Sequence, residues 1–143
     1  MAIDLLQRDV PVHMYRHDLE SMFYVLVWIT SCFHNGKEIA DPPLQEWADH
    51  GETALVKEKR SFIMLEPPLP TMHFEPLGRW VVSMQKMIHN GFTARRDYRS
   101  ELRLTPTVPP PHFNDETLGS LVTFDKFQAI LDAKLMFTAS QYI

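Results

Sequence analysis

The 143-residue sequence contains little cysteine and little glycine, and both shortages exclude kinds of site. Its single cysteine, Cys32, excludes an internal disulfide and a cysteine-rich zinc site. A glycine-rich loop brings backbone amides against phosphate, and this needs several glycines close together. The five glycines are instead scattered along the chain, at Gly36, Gly51, Gly78, Gly91 and Gly119. We therefore expect no P-loop and no other glycine-rich nucleotide loop.

Long apolar runs and an excess of basic charge are also absent. The most apolar stretch, residues 22–33, is shorter than the roughly 18 residues that a membrane span needs. Lys and Arg number 14 against 18 Asp and Glu, so the net charge is −4 and the basic footprint of a nucleic-acid binder is missing. Asp4 and Asp9 lie where a secretory signal would carry basic residues. We expect an intracellular protein, cytoplasmic or nuclear, with no membrane segment and no nucleic-acid partner.

What the sequence does contain is a helical pattern in a chain of one-domain length. Hydrophobic residues make up 45% of the chain, which is ordinary for a folded domain. The first predicted helix follows a cap at Asp18 and is apolar around nearly its whole circumference, which indicates burial on all sides. A buried strand is the alternative, but a length of about 15 residues before Asn35-Gly36 favours a helix. The predicted fold class is mainly α, with no obvious two-strand hairpin.

Further helices are predicted along the rest of the chain. One short helix begins near Pro42 and Pro43, and a charged helix spans roughly Glu52 to Met64. Apolar residues at steps of three and four predict an amphipathic helix over residues 77–88, ended by Asn90-Gly91. The charged residues 94–104 permit another helix, and the helical period returns from Leu121. The proline-rich residues 65–70 and 105–111 cannot be helical and are predicted to be stiff connections.

No arrangement of residues in the sequence satisfies a catalytic or metal-binding pattern. Residues 16–19, Arg-His-Asp-Leu, resemble a kinase catalytic loop with its first two letters exchanged, but Phe23 stands where the metal-binding Asn belongs. His13 and His17 have a spacing that can hold zinc on a helix, yet no His-Glu-x-x-His pattern is present. Cys32 and His34 would point away from each other on a helix. We predict no catalytic, cofactor-binding or metal-binding residue.

Three arginines repeat at helical spacing in the charged segment. Arg95, Arg99 and Arg103 fall at i, i+4 and i+8, so a helix would place them on one face, whereas Asp97 and Glu101 lie on a different face. Like charges at that spacing repel weakly. We therefore expect these arginines to pair with acids from elsewhere in the chain or from a partner.

Several stretches together resemble one known family. The opening residues 1–6, Met-Ala-Ile-Asp-Leu-Leu, resemble the Met-Ala-Pro-Glu-x-Leu element that closes a protein-kinase activation segment. Residues 15–28 are similar to the central C-lobe helix of the fungal-type protein kinases, where His-Asp-Leu-Glu-Ser leads into Phe-Tyr-Val-Leu and a Trp. Weaker likenesses follow in the same order at residues 44–47, 57–62, 74–91, 115–119 and 124–131. The whole chain, residues 1–143, thus resembles part of one kinase domain, the helical C-lobe from the end of the activation segment onward.

This resemblance implies a fold and two structural positions. The fold would be a protein-kinase-like C-lobe fragment built around one central helix. The family's equivalent of Asp18 braces the backbone of the catalytic loop, and the acid that matches Asp4 pairs with an arginine late in the lobe. Arg95, Arg96 and Arg99 are all candidates for that arginine. The sequence departs from the common pattern in having Ile3 for Pro and Asp for Glu at position 4.

The resemblance also implies what intact relatives do. They transfer phosphate from ATP, with Mg, to a Ser or Thr hydroxyl. This chain has no glycine-rich loop, strand lysine, catalytic loop or Asp-Phe-Gly, so it is predicted to be inactive alone, and the enzyme question stays open. The alternative is a stand-alone, non-catalytic helical interaction module. In the kinase fragment, one apolar side of the central helix is expected to be exposed, and to attract a protein partner or a second copy or to lower stability. The interaction module would bind a protein through that exposed helix surface or through the proline-rich segments.

Overall fold

A computed structural model describes residues 1–6, 12–45, 47, 51–108 and 110–133, and the described part is mainly helical. The predicted mainly α fold class is confirmed. The helices are α1 (Tyr15–Cys32), α2 (Glu52–Met64), α3 (Gly78–Leu104) and α4 (Phe124–Asp132). Two short 3-10 helices, Asp4–Leu6 and Met72–Leu77, precede α1 and α3. No described helix is both long enough and apolar enough to cross a membrane.

Helix α1 begins at Tyr15, three residues before the predicted cap at Asp18. The N-cap is Met14, whose backbone N–H donates to Nδ1 of His17 at 3.1 Å. The carbonyl of Met14 in turn accepts from the backbone N–H of His17 at 2.9 Å. The predicted Asp18 cap is therefore wrong. The helix begins one turn earlier, where the imidazole of His17 accepts from the backbone N–H of Met14, and the side chain of Asp18 is 66% exposed.

A small hairpin follows α1 where the sequence predicted only a helix end. Strands β1 (Phe33–His34) and β2 (Lys37–Glu38) pair antiparallel, with Phe33 opposite Glu38. The turn residues Asn35 and Gly36 have φ of 49° and 75°, which is the left-handed region that a two-residue hairpin turn requires. The prediction that the chain has no two-strand hairpin is thus wrong.

The predictions for the middle of the chain are largely confirmed. Helix α2 has the predicted bounds, Glu52 to Met64, and the proline-rich residues 65–70 are not helical. The short helix predicted to begin near Pro42 and Pro43 lies partly outside the described residues; within them, residues 43–45 form a turn and Trp47 is helical. Helix α4 begins after Thr123, whose hydroxyl accepts from the backbone N–H of Lys126 at 3.2 Å. The described residues of 105–111 contain no helix.

Helix α3 runs for 27 residues and passes through the predicted stop at Asn90-Gly91. Gly91 is buried inside the helix, and a Cβ atom there would lie 2.7 Å from Cγ2 of Val122 and 3.0 Å from Leu118. The stop prediction is wrong because Gly91 serves a close approach between α3 and the chain before α4. Its missing side chain makes room for packing rather than for a left-handed helix end.

The hydrophobic core forms where α1, α3 and α4 meet. Phe23 and Val27 of α1 are fully buried, and Met84 and Ile88 of α3 are each only 1% exposed. Phe127 of α4 joins the same cluster. Helix α1 is the common element, because it contacts α3, α4 and the hairpin. The core is therefore organised around one side of α1, and the first turn of that helix carries the charged groups described next.

Candidate functional site

The most distinctive polar feature is an ion-pair cluster at the start of α1, formed by the buried Asp4 and Arg16, the largely buried Arg95 and the partly exposed Asp115. Asp4 accepts from Nη2 of Arg16 at 2.8 Å. It also accepts from both terminal nitrogens of Arg95, at 2.7 and 3.1 Å. Asp115 adds its backbone carbonyl, which accepts from Nε of Arg16 at 2.6 Å. The carboxylate of Asp4 therefore joins the N-terminal 3-10 helix to α1 and α3, and both of its oxygens accept hydrogen bonds from arginine.

A second set of hydrogen bonds holds the backbone next to Asp4. Glu20, one turn after Arg16 on α1, accepts from the backbone N–H of Ile3 and from the hydroxyl of Tyr24, both at 2.8 Å at Oε1. Glu20 is buried, and burial raises the pKa of its carboxyl. Lys59 of α2 donates to the carbonyl of Met1 at 2.5 Å. The N-terminal segment is therefore held at Met1, Ile3 and Asp4 by side chains from three helices, α1, α2 and α3.

The charges of the cluster shift the pKa of its members. Burial acts to raise the pKa of Asp4, but hydrogen bonds and charge from Arg95, then from Arg16, outweigh it and hold this pKa at about 2. Burial, followed by the charge of Arg16, lowers the pKa of His17, whose Nε2 lies 3.8 Å from Oδ2 of Asp4. Asp4 is thus ionised at neutral pH and can pair with both arginines. The lowered pKa of His17 favours the neutral imidazole beside the positive charge of Arg16.

The structure selects among the arginines that the sequence left open. Arg95 contacts Asp4, whereas Arg96 and Arg99 are exposed and do not reach it. The sequence did not indicate Arg16 or Asp115 as members of the cluster. Arg16 was assigned only to an exchanged catalytic motif, and Asp115 lies 99 positions away along the chain. Only the course of the chain between α3 and α4 brings Asp115 to Arg16, and no local spacing signals it.

The remaining sequence candidates do not come together as a catalytic site. His13 is exposed and pairs with Asp18, Nε2 to Oδ1 at 3.2 Å. Cys32 is buried next to Ser31, while His34 lies on the hairpin and is exposed. Within the described ranges, no three His, Cys, Asp or Glu side chains are grouped so that they could hold a metal ion.

The other distinctive surface is an apolar groove along the outer side of α1. We call it the α1 groove; its volume is about 450 Å³, and it is lined mainly by Met22, Val25, Ile29, Trp80, Phe127 and Leu131. Met22 and Val25 are 53% and 54% exposed. The burial on all sides that the composition of α1 indicates is therefore wrong, whereas the exposed apolar side expected of this helix is present. Asp18 lies at one end of the groove, so the groove combines an apolar floor with one exposed carboxylate.

Comparison with known proteins finds a likeness that covers part of the site, the N-terminal segment and most of α1. A family model described as fungal protein kinase matches residues 1–30. The match begins in the segment that carries Asp4 and ends at Thr30, near the end of α1. No curated protein and no solved structure matches the chain. The part similar to the fungal protein kinases is therefore the unit that contains Asp4, Arg16 and Asp18.

Proposed function

We propose that this chain is the helical C-lobe part of a fungal-type protein kinase and that it acts as a scaffold. The observation that carries the proposal is the coincidence of the family match with one structural unit. Residues 1–30 match the fungal protein kinases, and within them Asp4 is tied to Arg95, which lies 91 positions further on. The matched segment is thus anchored to the remainder of the described fold rather than lying beside it.

The proposed role is structural because the chain offers no groups for phosphoryl transfer. That reaction depends on residues that position ATP, the metal ions and the attacking hydroxyl. The sequence contains no glycine-rich loop and no Asp-Phe-Gly. The buried acids are already engaged: Asp4 by two arginines, and Glu20 by Ile3 and Tyr24. We therefore assign no ATP or Mg site to this chain, and we expect no phosphotransfer from it alone.

On this proposal, the α1 groove receives the kinase segments that precede the matched residues. In that arrangement, the catalytic loop of the kinase and the helix before it would pack against the apolar floor of the groove. The exposed carboxylate of Asp18 at the end of the groove can accept hydrogen bonds from backbone N–H groups of the docked segment. Among the described residues, the contact of this carboxylate is Nε2 of His13, whose side chain is itself largely exposed.

The same groove also supports the second candidate function, a stand-alone interaction module. In that case the occupant would be an unrelated protein or a second copy of the chain, and the preceding half of a kinase would have no special affinity for the groove. The two proposals therefore differ in which partner binds, not in which surface is used.

The test is co-expression of this chain with the preceding half of a complete fungal-type kinase, from the glycine-rich loop through Asp-Phe-Gly. An affinity tag on that half should capture this chain. Val25→Asp, in the α1 groove, should abolish capture because it places a charge on the apolar floor. Val82→Asp is the matched control, since Val82 is 58% exposed on α3 and does not line the groove.

Each outcome of the co-expression test separates the candidates. Capture that Val25→Asp abolishes and Val82→Asp preserves supports the kinase proposal. Absence of capture by the unsubstituted chain, with the chain folded by circular dichroism, contradicts it. Light scattering of the chain alone then shows whether the same groove binds a second copy, as the interaction-module hypothesis allows.

A further inference from the structure

A second groove lies between α2 and α3, and it is lined by arginines. We call it the arginine groove; it has a volume of about 380 Å³ and is lined chiefly by Arg60, Ile63, Phe92, Arg96, Arg99 and Arg103. Arg60 comes from α2, while the other arginines come from the C-terminal half of α3. No described acidic side chain lines the groove. Positive charge therefore faces it from two helices.

Most of these guanidinium groups are not used within the fold. Arg60, Arg99 and Arg103 are exposed, and none of them forms an ion pair with a described residue. Arg96 lies 3.6 Å from Asp97, a neighbour that is itself exposed. Arg95 differs, because its guanidinium is engaged by Asp4. The internal ion pairs expected from the sequence thus form at Arg95 and leave Arg99 and Arg103 without an acidic partner in the described part of the chain.

The floor of the groove is apolar. Ile3 and Ile63 are buried beneath it, and the half-buried ring of Phe92 lies under the guanidinium of Arg95, 4.8 Å from Cζ to the ring centroid. A ligand must therefore satisfy cationic groups at the rim and an apolar surface below. Arginine pairs with carboxylates in a bidentate geometry, and an aliphatic side chain covers an apolar floor.

We propose that the arginine groove binds an acidic peptide segment of a partner protein that inserts one apolar side chain between its carboxylates. Charge complementarity supports this occupant, because the groove is positive although the whole chain carries a net charge of −4. Nucleic acid fits less well. Phosphate backbones need a broad positive surface, whereas the arginines here form a local cluster around an apolar floor. This proposal is independent of the kinase assignment.

The test measures binding of a short fluorescein-labelled peptide, glutamates flanking one leucine, to the purified full chain by fluorescence anisotropy. The peptide should bind, and more weakly as salt is added. The double substitution Arg60→Glu with Arg99→Glu should weaken binding about tenfold or more, because it reverses one charge on each wall. The matched control is Lys57→Glu with Arg79→Glu, which reverses one exposed basic residue on each of the same helices, outside the groove.

The controls decide between the proposed ligand and its competitors. Replacing the leucine of the peptide by serine should weaken binding, because the apolar floor then loses its contact. Equal losses in the two double variants would overturn the proposal, since they would reflect overall charge only. The proposal is also overturned if a labelled oligouridine binds the groove more tightly than the peptide does. Unchanged thermal melting of both variants shows that the comparison concerns folded protein.

Discussion

Both sides of α1 carry large apolar side chains, but these side chains lie in opposite environments. Phe23 and Val27 point into the core and are fully buried, whereas the adjacent Met22 and the nearby Val25 are more than half exposed. The apolar character of these four side chains does not distinguish the buried positions from the exposed ones. The difference shows that apolar residues around a helix favour its burial, but that the neighbouring elements determine which of these residues are buried.

The packed side gains stability that the open side does not. Burial of a large apolar side chain contributes roughly 1.5–3 kcal/mol relative to exposure. Phe23, Val27 and Leu19 contribute in this way, and the ion-pair cluster lies at the N-terminal end of the same side. Met22, Val25 and Ile29 would contribute this stabilisation only when a partner covers the α1 groove.

The largest expected effect separates two neighbouring residues on α1. Phe23→Ala should lower the free energy of unfolding by about 3–5 kcal/mol, because it leaves a cavity at a fully buried position. Met22→Ala, one residue earlier and 53% exposed, should change it by about 0.5 kcal/mol or less. Urea denaturation followed by circular dichroism measures both. Similar losses in the two variants would mean that the exposed side is also packed in solution.

The next effect concerns the two acids that the resemblance singled out. Asp4→Asn should lower the free energy of unfolding by about 2–4 kcal/mol at neutral pH, because it removes the carboxylate between two arginines. Asp18→Asn is the control, since its carboxylate is exposed and its pairing with His13 contributes little. Urea denaturation again supplies the measurement, and equal effects of the two substitutions would contradict the assigned cluster.

The effect of Asp4→Asn on stability should depend on pH. The pKa of Asp4 is about 2 in the folded chain against an ordinary value of 3.8, so it is depressed by folding. Its contribution is therefore present above about pH 4 and is lost as the pH falls from there toward pH 2. The stability difference between the unsubstituted chain and Asp4→Asn should shrink over that interval. A difference that stays constant down to pH 2 would rule out a depressed pKa.

A smaller effect is expected on the packed side of α3. Gly91→Ala should lower the free energy of unfolding by roughly 1–2 kcal/mol, although alanine favours helix, because the new methyl group would lie 2.7 Å from Val122. Gly78→Ala is the matched control, since its nearest neighbour, Pro70, would be at an ordinary 3.5 Å. That variant should be neutral or slightly stabilised in thermal melting. A stabilised Gly91→Ala would mean that the segment before α4 does not pack there.

The sequence predicted the fold best where helical period and chain breakers agree. Helix α2 has the predicted bounds because charged and apolar residues alternate at helical spacing between Gly51 and the prolines after Met64. The prediction was wrong at Gly91, where a glycine typical of a helix end instead permits a tertiary contact. It was also wrong at Asp18, because a side chain less common at helix starts, His17, forms the cap hydrogen bond. Local propensity cannot anticipate either contact.

The candidate site was only partly accessible from sequence. Asp4 and a set of three arginines followed from the resemblance, but the choice of Arg95 depends on how α3 lies against the N-terminal segment. Arg16 and Asp115 emerged only from the three-dimensional arrangement. The arginine spacing predicted a shared face on α3, but the apolar floor of the groove requires α2 beside it.

The proposed kinase scaffold is tested most directly by methyl NMR of the isotope-labelled chain. Unlabelled preceding half of a fungal-type kinase is added while the methyl signals of Met22, Val25 and Ile29 are followed. We predict that these signals shift on addition, because the docked half covers the α1 groove, and that the signals of Val82 do not. Signals in the α1 groove that stay unchanged while binding occurs elsewhere, or while no binding occurs, would contradict the proposal.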